Sequence, residues 1–410
     1  MKKSLFALMA LAFCLTACTP AESTIPESDT TPASETPVET GQAEETEETA
    51  VPPVGTLTMN SDAREDSTGY YDTSIWKNPD TGENRWVLYR LDYPSGQQKM
   101  LYDFGSYDSG EVSVSNPFVQ KNAVYVACND SLYRLPLDGG EMEVFPSPEA
   151  RGAEFSDENA CYRLEGNLYA DSTQPTVQRI DLQTGATTQW KLPAMYITGV
   201  YGCSQDRVLV GRLITDQPLP SLQEEELFNV VLQNSTLEYD WLDIATGEVE
   251  KILACPYVGH PDENGQTRYW DYLGMMADSL YFRQTVTDAQ GQLLAASIDR
   301  CALDGSNMET VLQLETSNNL YSVNRGTQLA WLMDCDYTGP ATIYDLEQGK
   351  ICENIPIQEG DSGWPFLLTN DGRVLVNDHY NGGRPTYALI DPEDYLAGSR
   401  DWTFFAEAEN

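Results

Sequence analysis

The chain has 410 residues, with 24 Lys and Arg against 64 Asp and Glu and a formal net charge of −40 at pH 7. Nine of the acids and two of the bases precede Thr56, leaving 55 against 22 in the remaining 355 residues. A binder of phosphate backbones needs the opposite sign. Nucleic acid and anionic lipid head groups are therefore not expected as direct ligands, whereas cations, neutral sugars, peptides and basic proteins stay open, and the acidity otherwise serves solubility.

Lys2 and Lys3 precede an apolar run from Leu5 to Leu15 that is too short to span a membrane. Residues 1–17 are expected to be a signal peptide. The segment Leu15-Thr16-Ala17-Cys18 resembles the bacterial lipobox, and the resemblance implies lipidation of Cys18 and cleavage before it. Residues 18–55 then form a lipidated Cys and an acidic tether. From Thr19 to Gly55 the composition is dominated by Thr, Pro, Glu, Ser and Ala, without Lys, Arg or aromatic residues, too little apolar surface to offset ordering entropy. The expected location is extracytoplasmic and bacterial, with the membrane touched only through the anchor.

Residues 56–410 exceed the size at which a single core stops growing, and no second linker of this kind divides them. One phrase repeats instead: Tyr89 to Asp92 and Gly96; Tyr133 to Asp138-Gly139; Arg179 to Asp181 and Gly185; Trp241 to Asp243 and Gly247; Arg300 to Asp304-Gly305; Ile343 to Asp345 and Gly349; Leu389 to Asp391 and Gly398. In each phrase an Asp or Thr can bond the turn backbone while Gly takes positive φ. A second turn signal precedes most of them, at Asn122, Asp206, Asp278 and Asp371. Two hairpins per repeat of about 50 residues predict an all-β fold, a β-propeller of seven four-stranded blades. The weak pattern before Tyr70 leaves six or eight open.

The Leu303-Asp304-Gly305 and Leu137-Asp138-Gly139 turns resemble those of TolB-like and YWTD-type propellers and of propeller lipoproteins of Gram-positive bacteria. The resemblance implies the fold and no particular activity. It departs from those families in lacking a Tyr-Trp-Thr-Asp strand, since Tyr269-Trp270-Asp271 is expected in a connecting segment, and in showing no separate domain before the ring of the kind TolB has.

Beyond Cys14 and Cys18, seven cysteines remain, without Cys-x-x-Cys or Cys/His spacing that would suggest zinc. Most fall in predicted strands and read as small apolar residues, with one or two disulfides as the alternative. Only His260 and His379 exist, and no nucleophile elbow, phosphate loop, dinucleotide fingerprint or zinc-protease motif occurs, so no catalytic residue is assigned. A glycosidase carboxylate pair in the central funnel would need only two acids, and no pair stands out. No cofactor is identified. Calcium has weak candidates in Asp334-Cys335-Asp336 and Asp262-Glu263-Asn264-Gly265, neither completing an EF-hand pattern.

In a propeller whose blade strands run A to D, the B–C and D–A connections share one rim. The two longest connections, Ile214 to Thr236 and Pro256 to Trp270, are expected to be neighbours on the rim of blades 4 and 5. Ser221-Leu222-Gln223-Glu224 matches a capping box and predicts a short helix or an extended strand. The candidate ligand-binding residues are His260, Arg268, Tyr269 and Trp270 in the second insertion, and His379, Tyr380 and Arg384 in the B–C loop of blade 7. The expected function is a surface-anchored binding or protein-interaction module for a protein, peptide or glycan. The alternatives are a carbohydrate-active or other hydrolytic enzyme and a passive envelope component.

Overall fold

The computed structural model describes residues 56–57, 64–78, 80–153, 155–165, 176–191, 196–204, 207–221, 223–257, 261–276, 279–314, 320–325, 330–334, 341–346, 349–355, 363–381 and 384–407. The expected leader, Cys18 and tether lie outside them. The described residues form seven sheets. Blade 2 is Phe118–Gln120, Ala123–Cys128, Ser131–Pro136 and Glu143–Pro146; blade 4 is Tyr196–Ser204, Arg207–Ile214, Thr236–Asp243 and Val249–Pro256. Blade 5 is Thr267–Met276, Ser279–Thr287, Leu293–Ala302 and Glu309–Leu314; blade 6 is Leu320–Arg325, Ala330–Asp334, Ala341–Asp345 and Gly349–Ile355. Blade 7 is Trp364–Leu368, Val374–Asn381, Arg384–Ile390 and Thr403–Phe404. Each is a consecutive antiparallel meander.

Blades 1 and 3 depart from this plan. Blade 3 (Phe155–Ser156, Ala160–Glu165, Thr176–Asp181, Thr187–Lys191) gains a fifth strand, Thr56–Leu57, on the inner edge of Phe155–Ser156. Blade 1 holds Gly69–Lys77, Asn84–Asp92 and Gln97–Ser106, and Glu65, bridged to Tyr70, stands where the innermost strand of other blades stands. Its outer edge is extended by Ala406–Glu407, which pairs in parallel with Gln97 and Gln98. The C-terminal segment thus binds the first blade after the last one has ended.

The seven phrases occupy the turns between the third and fourth strands. In blade 4 the Asp243 carboxylate accepts the amides of Ala245 at 2.9 Å and Thr246 at 2.7 Å, and Gly247 closes the turn at φ 73°. Asp181 does the same for Gln183 and Thr184 in blade 3. Gly185 and Gly305 answer two demands at once. Both have positive φ, and a Cβ would lie 2.8 Å from Phe145 Cβ and 2.6 Å from the Ile252 carbonyl, respectively, each on the preceding blade. In blade 7 the same connection is longer and holds helix α2, Pro392–Leu396.

Strand side chains alternate between the two faces of a sheet, so each blade can pack on both neighbours. Tyr71 and Leu88 meet Val124 and Val126 between blades 1 and 2, while Tyr125 and Ala127, one residue out of phase, meet Cys161 and Ile180 of blade 3. Val208 and Val210 join Ala160 and Tyr162 of blade 3, whereas Leu209 and Trp241 join Leu280 and Phe282 of blade 5. Ile298 meets Tyr344 of blade 6, Ile343 meets Val374 and Val376 of blade 7, and Leu375 and Tyr387 return to Tyr70 and Tyr89 of blade 1. Seven shared cores close the ring. Four of the described cysteines, Cys128, Cys161, Cys255 and Cys301, are buried and unoxidised, and Cys352 is partly covered, which is the small-apolar role expected of them.

The turn carboxylates carry a pH signature. The amide and hydroxyl of Thr246, with the amide of Ala245, hold the Asp243 carboxyl below its ordinary value. A lowered folded-state pKa contributes stability above the unfolded value of about 3.9 and loses it as pH falls. Asp243→Asn should therefore shift the urea midpoint downward at pH 7 and less at a pH acid enough to protonate the native carboxylate as well. An equal shift at both pH values would refute this account of the turn.

Candidate functional site

The first insertion leaves blade 4 after Ile214 and returns at Thr236. Its helix α1, Glu225–Gln233, buries Phe228, Val231 and Leu232. Phe228 and Leu232 pack with Leu213 from the second strand, and Tyr196, Leu219 and Tyr257 complete this cluster outside the ring cores. The Tyr196 hydroxyl accepts the Leu219 amide at 3.0 Å. Tyr257 opens the second insertion, and its amide donates to the Ser235 carbonyl at 3.1 Å, so the two insertions meet as expected.

The helix starts later than the capping box predicts. Glu224 is the N-cap and makes no side-chain cap, while Ser221 instead closes the preceding turn, its carbonyl accepting the Glu224 amide. Two apolar side chains stand on the outer face of the helix. Leu227 is 48% and Val230 49% exposed, three residues apart on one face, and Glu224, Glu225 and Glu226 flank them in the open.

Tyr269 and Trp270 are not in a connecting segment. They belong to the first strand of blade 5, where Tyr269 pairs with Thr285 and Trp270 with Gln284. The indole Nε1 of Trp270 donates to Asp299 Oδ2 at 3.1 Å, and its carbonyl accepts the Tyr239 hydroxyl of blade 4 at 3.0 Å. Asp299 is buried and also accepts Gln284, Ser297 and Thr310. This is a seam between blades, in which an indole supplies one of four donors to a buried carboxylate. Arg268 is exposed at the same strand end and donates to Gln284 Oε1. His260 lies outside the described residues.

On blade 7 the expected loop is a hairpin instead: His379 and Tyr380 sit in the second strand and Arg384 begins the third, because His379 pairs with Thr386 and Tyr380 with Pro385. His379 is exposed, its Nδ1 2.6 Å from Asp378 Oδ2 and its Nε2 3.5 Å from Thr386 Oγ1. The side chains of Tyr380 and Arg384 are outside the described residues. The structure thus joins Arg268, Tyr269 and Trp270 along one strand and His379, Tyr380 and Arg384 along one hairpin, two blades away.

Of the calcium candidates, Cys335 and Asp336 lie outside the described residues. Asp262 serves its own turn: its carboxylate accepts the amides of Asn264 at 2.8 Å and Gln266 at 3.0 Å, and those bonds hold it below the ordinary carboxylate value. The sequence did not reveal Leu219, Tyr196 and Tyr257 as the support of the insertions. Their only signal was apolar character beside a long connection.

No family model matches the chain, and no curated protein matches it. Among solved structures, the β-propeller domain of the Trilobed protease from Pyrococcus furiosus is 9% identical over 84% of this chain and 95% of that one, with a TM-score of 0.43. An oligogalacturonate lyase from Vibrio parahaemolyticus is 15% identical over 80% and 98%, with a TM-score of 0.35. TolB from Acinetobacter baumannii is 12% identical over 80% and 62%, with a TM-score of 0.31. At such identities the likeness is one of fold alone.

The two faces of α1 should respond differently to mutation. Phe228→Ala should cost the insertion about 3–5 kcal/mol, read as faster amide hydrogen exchange across Glu225–Gln233. Leu227→Ser and Val230→Ser should stay within about 0.5 kcal/mol of the parent. Comparable losses from all three would mean that the outer face is covered.

Proposed function

We propose that this chain is a lipid-anchored, extracytoplasmic binding module whose working surface is the insertion rim of blades 4 and 5. The partner we infer is a protein or peptide presenting apolar side chains ringed by basic ones. The observation that carries this reading is the outer face of α1. Leu227 and Val230 stand half-exposed on a helix whose opposite face is fixed by its own core, with three glutamates beside them. Apolar side chains held rigidly in solvent favour association, and the acidic surround selects a basic partner and speeds its encounter.

The direction of the chain supports the same rim. Thr56 pairs with Ser156, next to the turn that joins the first and second strands of blade 3, and Leu57 pairs with Phe155 farther in. Thr56 therefore lies toward the rim of the short turns, and the insertions lie at the opposite end. Anchoring rests on Leu15-Thr16-Ala17-Cys18.

Two experiments test the two halves of this proposal. Benzoylphenylalanine placed at Leu227 in the cell that makes the protein should give a discrete crosslinked adduct that weakens at high salt, whereas the same probe at Asp138, on the turn rim, should not. Identical adducts at both positions, or none at Leu227, would overturn the binding surface. For the anchor, Cys18→Ala should abolish incorporation of labelled palmitate and release the protein from the membrane pellet; retained label would exclude lipidation at this residue.

A further inference from the structure

The opposite rim contains a cavity of about 520 Å³ between blades 1 and 2. Its volume falls in the range of small-molecule sites. One wall is polar, formed by the paired strands that carry Arg90, Asp92 and Lys99 and by the turn that carries Asp66; the other is apolar, with Leu135, Pro136 and Leu137 from blade 2 and Leu101 below.

Most of the polar wall is already satisfied. Arg90 donates to Asp92 Oδ1 and Thr68 Oγ1, both at 2.5 Å, lies 3.6 Å from Asp66 and stacks over the Tyr71 ring at 5.6 Å. Asp66 also accepts the Thr68 amide and the Tyr71 hydroxyl, and Asp92 accepts the amide and hydroxyl of Ser95. Both carboxylates are consumed in holding this wall. Lys99 differs. It is exposed, makes no ion pair among the described residues, and lies directly across the sheet from Arg90.

Like charges directly opposed on one face of a sheet destabilise it. The chain has 64 acids, yet Lys99 makes no ion pair with any of them among the described residues. Asp66 and Asp92 are both turned to Arg90, so the Lys99 ammonium is left as the cation of the cleft that no described side chain holds, and the cleft it shares has a wall of aliphatic side chains opposite.

We propose that the cleft between blades 1 and 2 binds an aliphatic monocarboxylate, with the carboxylate on Lys99 and the aliphatic arm against Leu135, Pro136 and Leu137. This site is independent of the insertion rim, and either can fail without the other.

The probe is N-acetyl-leucine, with neutral N-acetyl-leucinamide as its isostere, titrated calorimetrically into the full-length protein in neutral detergent at pH 7 and low salt. The acid should bind at least tenfold more tightly than the amide. Lys99→Gln should remove that preference while leaving the melting temperature unchanged or raised, because it relieves the pair with Arg90; Lys99→Arg should retain it. Equal binding of acid and amide, no binding of either, or an acid preference that survives Lys99→Gln would each overturn the proposal.

Discussion

A ring of sheets has no end to hide, so the seam between the first and last blades must be as good as the other six. Here that seam is built around Asp72, a buried carboxylate on Gly69–Lys77. It accepts Arg64 at 2.9 Å, the hydroxyls of Tyr89 and Tyr387 at 3.1 Å each, and the Thr73 amide at 2.9 Å. Tyr387 comes from blade 7, which makes the network a latch across the seam. Burial pushes the Asp72 carboxyl upward while Arg64 and the two tyrosines pull against it. A charge taken out of water is tolerated when its lone pairs are filled, and removal of one partner is costly. Asn370, whose amide donates to Glu65, and Arg373, which donates to the Tyr93 carbonyl, add blade 7 contacts at the rim of the same seam.

This arrangement separates what was legible in the sequence from what was not. The turn at Asp243 is legible because its bonds reach two and three residues along the chain, and the identities that make them recur in every blade. The Asp72 latch joins residues 315 apart, and no local pattern marks either partner. Trp270 shows the same limit in a more instructive way. Its neighbours Arg268, Tyr269 and Asp271 look like an exposed aromatic segment, but Trp270 owes its position to Asp299, on another strand of the blade, and to Tyr239 of the preceding blade. The place of the helical insertion was legible from its length, whereas its register was not: the capping-box spacing falls on a turn, and the packing of Phe228 and Leu232 sets where the helix begins.

Cysteine usage follows from the same two-sided packing. Where blades press together, a strand position must be apolar and small enough for the neighbour's large side chain. Cys161 lies in the blade 2–3 core with Tyr125, and Cys255 and Cys301 share the blade 4–5 core with Trp241 and Phe282. Burial raises the Cys161 thiol to about 12 and the Cys301 thiol to about 11. Thiols with such values are almost wholly protonated near neutrality, and the thiolate is the reactive form. Their role is therefore volume.

The two rims differ for a reason rooted in strand order. Two of the turns between third and fourth strands, at Gly185 and Gly305, have positive φ and are wedged against the preceding blade, so they admit little variation. The connections on the other rim are free of that constraint. The insertions emerge there and share a core of their own, in which Phe228, Leu232 and Tyr257 stand on Leu213. A ring closed by Asp72 on one side and by Ala406–Glu407 on the other gives the insertions a rigid base. Rigidity is what lets Leu227 and Val230 remain in water: a flexible loop would collapse to bury them, while a helix pinned along its opposite face cannot.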